Sequence, residues 1–586
     1  MVDAPNQDRY LALSGGGFDA HSAHAGWIAG GMEALAASRK DNDLDQLLGN
    51  VRGLASSSGG SWFSSMLAFS NAFRAQFESK TRRDAYNSSG YNGQLRQLFA
   101  GLFDASGRPR LSEAAQDLVD AVDAGLAAAR RALETLGLPF DLTSLSDTLR
   151  FVAAMADNTL SQSGFSWRGF VDQYVYKPMA LDGELGGLTL ASPRNPWAND
   201  VDVVIGGVLQ TSPVVLGSTG SGLDIKYGQV SLTPIDVGLP SQLHFTPISL
   251  ISSAPSRPVA TSPASALLTA GPFKASYTGL RLGRSSRFLN NSIPSQLSNA
   301  LSLIDATTIS SAAAGVAAGL GAITSALPDL LREPLNLVTI PLSDTLRAMA
   351  PASSISNGVL APLPPVTSDQ KTLETAVRLG AVRLADSGYV DNSSVGYLLR
   401  QIQTTKGTSE PFSITVFMNS TEAPDPVTGV HKRVRVAPDA TSLSSFGLSS
   451  EVVSLFGQSR GDGSVDADSI TMALLPVSVP SAQLFDPAAW YGQSAPDWSY
   501  SKGSISLSYH DLDVTTVDNK TFGIQAGQSG KLHVFTAFNS DSGPAPANFR
   551  TLDEYAENYD VIRDAVANQG GFAHLQAALG LSALSA

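Results

Sequence analysis

Short apolar runs that end in glycine or serine and give way to helix-patterned stretches recur through the first hundred residues. Tyr10-Leu11-Ala12-Leu13 runs into Ser14-Gly15-Gly16-Gly17, and small residues at helical spacing then predict a helix to about Arg39. After a polar turn at residues 41–45, residues 51–55 repeat the pattern. They meet a Ser/Gly cluster at 56–61, and an apolar helix is expected over 62–73. Two strand–turn–helix units in succession predict a mainly parallel sheet. Farther on, Leu118, Val122, Leu126 and Leu133 share one helical face that Gly137 and Pro139 bring to an end, and Leu145, Leu149 and Val152 begin another. The pattern turns to β between Val201 and about Leu282, with Val203-Val204-Ile205 and Tyr277-Thr278-Gly279-Leu280 as examples, and returns to helix over 296–350. Residues 381–385, 413–418 and 532–538 read as buried strands, and the chain from Leu552 as helix. No repeat has a fixed period, and no Pro- or Gly-rich linker marks a boundary. The expected organisation is a single α/β domain over residues 1–586, with helical insertions at about 101–200 and 296–350.

Composition narrows the chemistry. The 586 residues include 52 acidic and 39 basic groups, a formal net charge of −13. Such a balance argues against nucleic acid, whose phosphates demand a basic face. It argues equally against electrostatic recruitment to anionic lipid, so contact with a membrane surface would have to be hydrophobic. The apolar fraction of 43% rules out disorder along the whole chain. There is no cysteine, which excludes disulfides, thiolate metal sites and cysteine nucleophiles. Residues 1–9 are polar and the first apolar run is too short for a signal peptide. The most bilayer-like stretch, 306–328, is uncharged but mostly Ala, Gly, Ser and Thr, and reads as a packed helical segment rather than a span. A soluble protein of unassigned compartment is expected.

Three short segments carry candidate chemistry. In Gly53-Leu54-Ala55-Ser56-Ser57-Ser58-Gly59-Gly60-Ser61-Trp62, a strand ends in a sharp turn and opens a helix. Such a turn projects one side chain at the sheet edge and needs small neighbours, and Ser58 occupies the projecting position. The segment reads either as a nucleophile elbow or as a Ser/Gly loop capping a helix. Ser14-Gly15-Gly16-Gly17 also follows a strand and opens a helix, so its N–H groups can converge on an anion. Acyl transfer would use it as an oxyanion hole. Gly15, Gly17 and Ala20 also match G-x-G-x-x-A, but the acidic residue that a dinucleotide site wants at the end of the next strand is missing, because Glu33 falls in the helix and Asp41 in the turn. Third, the strand Val382-Arg383-Leu384-Ala385 ends in Asp386-Ser387-Gly388, which is either an Asx-type turn or a carboxylate placed to take a serine proton.

Together SGGGF, SSSGGSW and ADSG followed by Asn392 resemble the patatin, cytosolic phospholipase A and phospholipase B superfamily of lipid acyl hydrolases, on its phospholipase B side. The resemblance implies a three-layer α/β/α fold with a Ser–Asp dyad, Ser58 as nucleophile and Asp386 as base. It implies an oxyanion hole from the N–H groups of Gly16, Gly17 and Gly59, supporting roles for Gly15, Gly60, Gly388 and Asn392, and a lipid or lipid-like ester as substrate. From the residues themselves no cofactor is expected and nothing resembles a metal site. Two positions depart from the family pattern. Ser56 stands where glycine usually precedes the nucleophile by two, and Asp19 stands where the phospholipase side usually has an arginine that contacts phosphate. A carboxylate repels phosphate, so a neutral ester, lysolipid or glycolipid is expected as readily as a phospholipid. His21 and His24 lie nearby and could partly substitute for that arginine when protonated, but read rather as ordinary helix residues. His533 or His574 would complete a Ser-His-Asp triad in α/β-hydrolase order, which is a competing esterase reading. An acyltransferase sharing the acyl-enzyme, and a non-catalytic lipid-binding protein on a decayed hydrolase fold, compete with it too. Asp462, Asp466 and Asp468 miss the EF-hand spacing and read as a solvated acidic loop.

Overall fold

The computed structural model describes residues 8–38, 44–79, 171–177, 185–190, 192–211, 244–252, 254, 267–269, 273–275, 280–282, 302–311, 352–355, 360–362, 382–419, 450–459, 465–466, 469–471, 478–480, 483–493, 495–519, 522–539 and 552–581. The helices expected at 118–133 and 145–152, most of both insertions, the run at 277–279, and residues 460–462 and 468 lie outside them.

Twelve strands make the central sheet: β1 (Arg9–Leu13), β2 (Val51–Ser56), β3 (Asp202–Thr211), β4 (His244–Ser252), β5 (Leu267–Thr269), β6 (Leu280–Leu282), β7 (Ala352–Ile355), β8 (Val382–Ala385), β9 (Phe412–Asn419), β10 (Trp498–Lys502), β11 (Ile505–Thr515) and β12 (Ser529–Asn539). Their order is β10-β11-β12-β9-β1-β2-β3-β8-β7-β6, with β4 on the other edge of β3 and β5 beside β4. The middle, from β12 through β9, β1 and β2 to β3, is parallel. On both sides of it the pairing is antiparallel, which limits the expectation of a mainly parallel sheet to the middle. Part of the reason is connection length. β10 turns into β11 through Gly503 and Ser504 alone, and a two-residue turn can join only antiparallel neighbours.

Helices cover both faces. Along each central strand the side chains alternate between two cores, as the period of two requires. Leu11, Leu13, Leu54, Val203 and Ile205 pack with α1 (Gly17–Ser38), α2 (Gly59–Phe69), α3 (Asn71–Glu78), α4 (Leu303–Ser310), α8 (Leu552–Asn568) and α9 (Gly571–Ala578). Tyr10, Ala12, Ala55, Val204, Ile414 and Val416 pack with α6 (Val395–Lys406) and α7 (Ser450–Phe456) on the opposite face, where the single-turn α5 (Gly388–Asp391) contributes Val390. The result is an α/β/α core. The glycines of α1 let it lie close against α8, since a Cβ on Gly26 would stand 2.9 Å from the Ile562 Cβ and one on Gly30 2.6 Å from the Val566 Cβ. The helix expected over 62–73 starts earlier and breaks at Ser70. There the backbone turns extended and the Ser70 hydroxyl accepts from the Phe73 N–H to begin α3.

One feature of the sheet positions the site. β2 pairs Gly53–Ser56 with Asp202–Ile205 of β3 in parallel, and β8 pairs Arg383–Ala385 with Gln210–Val208 of β3 antiparallel. β4 occupies the opposite edge of β3, so β2 and β8 share one edge and run toward each other. They stop across Gly206 and Gly207. The carboxyl ends of the two strands therefore face one another, and the residues just past them, Ser57-Ser58 and Asp386-Ser387, meet there. Tyr397 from α6 fills the gap in the ladder, its hydroxyl donating to the Gly207 carbonyl at 3.0 Å.

Candidate active site

Ser58 sits between β2 and α2 with φ 48° and ψ −125°, a conformation that costs a non-glycine residue about 1–3 kcal/mol. Its Oγ donates a hydrogen bond to Asp386 Oδ2 at 2.7 Å, across 328 residues of sequence. Ser58 stands at the N-cap of α2 but makes no side-chain cap bond, its hydroxyl being turned to the carboxylate instead. Asp386 leaves β8 and is half-buried; its Oδ1 accepts from the Gly388 N–H at 2.8 Å. Burial pushes its carboxyl up to about 6, against the opposing pull of the bonds from Ser58 and Gly388.

The glycines are where crowding demands them. Gly59 opens α2 and Gly17 opens α1, and the two helix starts touch. A Cβ on Gly59 would lie 2.2 Å from the Gly17 carbonyl oxygen and 2.6 Å from its nitrogen. At first helical positions their N–H groups have no acceptor within their own helices, and each helix brings the positive end of its dipole. Gly16 and Gly17 hold φ of 132° and 58°, which glycine alone adopts without strain. The Gly15 N–H is directed elsewhere, to the Asn392 carbonyl at 2.8 Å. Gly60 packs on the chain leaving β1, where an added Cβ would be 2.5 Å from the Ser14 carbonyl oxygen. Asn392 binds the loops together. Its Oδ1 fills the space beside Gly15 and Gly388, where a Cβ would be 2.2 Å and 2.7 Å away, and its Nδ2 donates to Glu451 at 2.7 Å.

The remaining candidate residues fall away from the reacting atoms. Ser56 is the last ladder residue of β2 and fully buried, with its hydroxyl 2.7 Å from that of Ser64, so the position usually held by glycine takes a serine without a clash. Asp19 is buried in the first turn of α1. His21 and His24 are buried among Phe63, Phe73 and Phe417, and desolvation lowers them to about 3 and about 4, so both are neutral and supply no cation. His533 lies on β12, three strands from β2, or about 14 Å sideways at a spacing of about 4.8 Å. Its Nδ1 is 3.0 Å from the Tyr509 hydroxyl, and the His574 ring packs 4.7 Å from that of Tyr509. Neither histidine partners Ser58. Among the described residues no group of His, Asp or Glu could hold a metal ion, and no helix is long and apolar enough to cross a membrane.

Several residues at the site have no counterpart among the sequence expectations. The Ser58 N–H donates to the hydroxyls of both Ser310 and Ser387 at 3.0 Å. Trp62 Nε1 donates to Ser311 at 3.0 Å, while its ring stands 5.2 Å from Phe18. Asp391, fully buried at the end of α5, accepts from the Ser393 N–H, the Ser393 and Ser454 hydroxyls and the Gly396 N–H.

No protein-family model matches the chain, and no curated protein matches it in sequence. Among solved structures, human GIVD cytosolic phospholipase A2 is similar over 72% of this chain at 11% identity and a TM-score of 0.30, a likeness too slight to carry an argument. This chain spans less than half, 46%, of that protein's length.

Proposed function

We propose that the protein is a serine acyl hydrolase that cleaves carboxylic esters of lipids through an acyl-enzyme on Ser58. The observation that carries this reading is the 2.7 Å hydrogen bond from Ser58 Oγ to Asp386 Oδ2, made from a strained backbone at a helix start. A hydroxyl so placed needs only a base and a site for the developing oxyanion. Asp386 supplies the base, because a carboxyl at about 6 is mostly ionised at neutral pH and yet more basic than an ordinary aspartate. As Oγ attacks the ester carbonyl carbon, its proton passes to Asp386, and the carbonyl oxygen becomes an oxyanion. The N–H groups of Gly16, Gly17 and Gly59 would hold that oxyanion. When the C–O bond breaks, Asp386 returns the proton to the leaving alcohol. It then takes one from water as water attacks the acyl-enzyme, and Ser58 recovers its proton as the acid leaves.

The lipid character of the substrate rests on the three motifs shared with patatin-like and phospholipase-like hydrolases. Among the described residues, the carboxylates of Asp386 and Asp391 accept from hydroxyls and N–H groups and meet no cationic side chain. With His21 and His24 held neutral as well, an ester lacking a phosphate beside the glycine turn is favoured. At a net charge of −13, contact with a lipid surface would be apolar. The same reading treats residues 1–586 as one catalytic unit. A fluorophosphonate probe with peptide mass spectrometry tests it. A single adduct on Ser58, abolished by Ser58→Ala and Asp386→Asn in folded protein, is expected. An adduct on another serine, or one that survives Asp386→Asn unchanged, would overturn the dyad.

A further inference from the structure

The peptide that joins Ser57 to Ser58 is held at both ends. Its carbonyl, on Ser57, accepts from the Gly60 N–H at 2.8 Å, and its N–H, on Ser58, donates to Ser310 Oγ and Ser387 Oγ. A residue at φ 48° and ψ −125° would relax by rotating that peptide, and both of its polar ends oppose the rotation. The two hydroxyls also belong together. They lie 3.1 Å apart, and the Ser310 carbonyl accepts from both the N–H and the hydroxyl of Ser387 at 3.0 Å. Ser310 is the last residue of α4, and Ser387 directly follows Asp386. The end of α4 is thus the common anchor of the serine and the carboxylate. α4 is in turn fixed to the helix behind Ser58. Tyr176 OH bridges Ser65 of α2 and Thr307 of α4 at 2.9 Å each, and Ser311 receives Trp62 Nε1.

We infer that Ser310 and Ser387 are positioning residues that keep the Ser58 backbone in its reactive conformation and hold Ser58 Oγ in register with Asp386. Neither touches the reacting atoms. They act by fixing one peptide plane and one strand exit to the same helix end. This rests on the Ser58–Asp386 dyad proposed as the catalytic pair and adds to it the device that keeps the pair aligned. A hydroxyl that merely satisfied a buried N–H would affect folding alone. One that aligns the nucleophile affects the chemical step and leaves probe binding untouched.

The test is saturation kinetics of fluorophosphonate inactivation for wild type, Ser310→Ala, Ser387→Ala and the double variant, each with a melting curve. The expected result is a fall in the maximal inactivation rate of about threefold to tenfold for each single variant and more for the double, with the half-saturating probe concentration unchanged. A double variant that reacts at the wild-type maximal rate overturns the positioning role. So does a loss that merely follows the unfolded fraction. Asp386→Asn runs alongside as the control for the dyad. If wild type is inert, or Asp386→Asn reacts normally, the dyad reading itself falls and this inference falls with it.

Discussion

The exit of β8 and the turn five residues later each carry an aspartate away from bulk water, at Asp386 and Asp391, and burial raises the pKa of both carboxyls. Their oxygens are treated differently. Asp391 is surrounded: the Ser393 N–H and two hydroxyls converge on Oδ1, and the Gly396 N–H donates to Oδ2. Asp386 has one fixed N–H on Oδ1, and among the described residues its Oδ2 accepts only the Ser58 hydroxyl. A carboxylate held by fixed donors on both oxygens serves the fold, since none of those protons has another destination. One that is left with an oxygen facing a single mobile proton has that oxygen free to accept it. The difference lies in the number of donors as well as in depth, since Asp386 is half-buried and Asp391 fully buried.

Removing each carboxylate is the strongest way to break the comparison. Asp386→Asn is expected to lower ester hydrolysis by about 10²–10⁴-fold, the usual contribution of a positioned base, with the protein still folded in melting and circular-dichroism measurements. Equal loss from Asp391→Asn in fully folded protein would mean that the two carboxylates are not distinct in role. For Asp391→Ala the expected damage is to stability. It strands two buried N–H groups, at a cost of about 2–4 kcal/mol in a denaturant titration, while the folded fraction keeps most of its activity.

Only part of this contrast was legible in the chain. Ser58, Asp386 and the glycines of both turns announce themselves because crowding at a sharp strand exit restricts neighbours a few residues away, and that restriction is written locally. The alternation of Leu11, Leu13 and Leu54 against Tyr10, Ala12 and Ala55 likewise marks a sheet covered on both faces. Nothing local marks Ser310, whose hydroxyl meets Ser58 across 252 residues from a helix of ordinary small residues. Asp391 looks like any acid after a Ser-Gly turn until its donors, including Ser454 from α7, are brought in by the fold. Strand direction is equally hidden where helices cover both faces, because a strand that is apolar on both sides reads the same in a parallel and in an antiparallel ladder. That is why the antiparallel flanks, and the end-to-end meeting of β2 and β8 along β3, emerge only in three dimensions.

A pH profile sharpens the comparison at smaller amplitude. Only ionised Asp386 can take the Ser58 proton, so activity should rise about tenfold per unit as pH climbs toward about 6 and level off above it. Asp391→Ala should leave that midpoint in place, because none of the bonds of Asp391 reaches Asp386. A midpoint that moved or vanished in Asp391→Ala, measured as initial rates on folded enzyme, would assign the titration to the wrong carboxyl.

The smallest expected effect is on stability and has the opposite sign to that of Asp391. A folded pKa of about 6, against an ordinary value of 3.8, means that the native state holds the proton of Asp386 more tightly than the unfolded chain does. The stabilisation from this preference is complete below 3.8 and is lost as pH rises through about 6. At higher pH wild type therefore carries a desolvated charge that asparagine would not. Asp386→Asn should melt slightly above wild type at pH 8, with the gap closing as pH falls toward 4, as expected where a site trades stability for reactivity. A variant that melts well below wild type at pH 8 would show that Asp386 is held for the fold, as Asp391 is, and would remove the distinction between the two carboxylates.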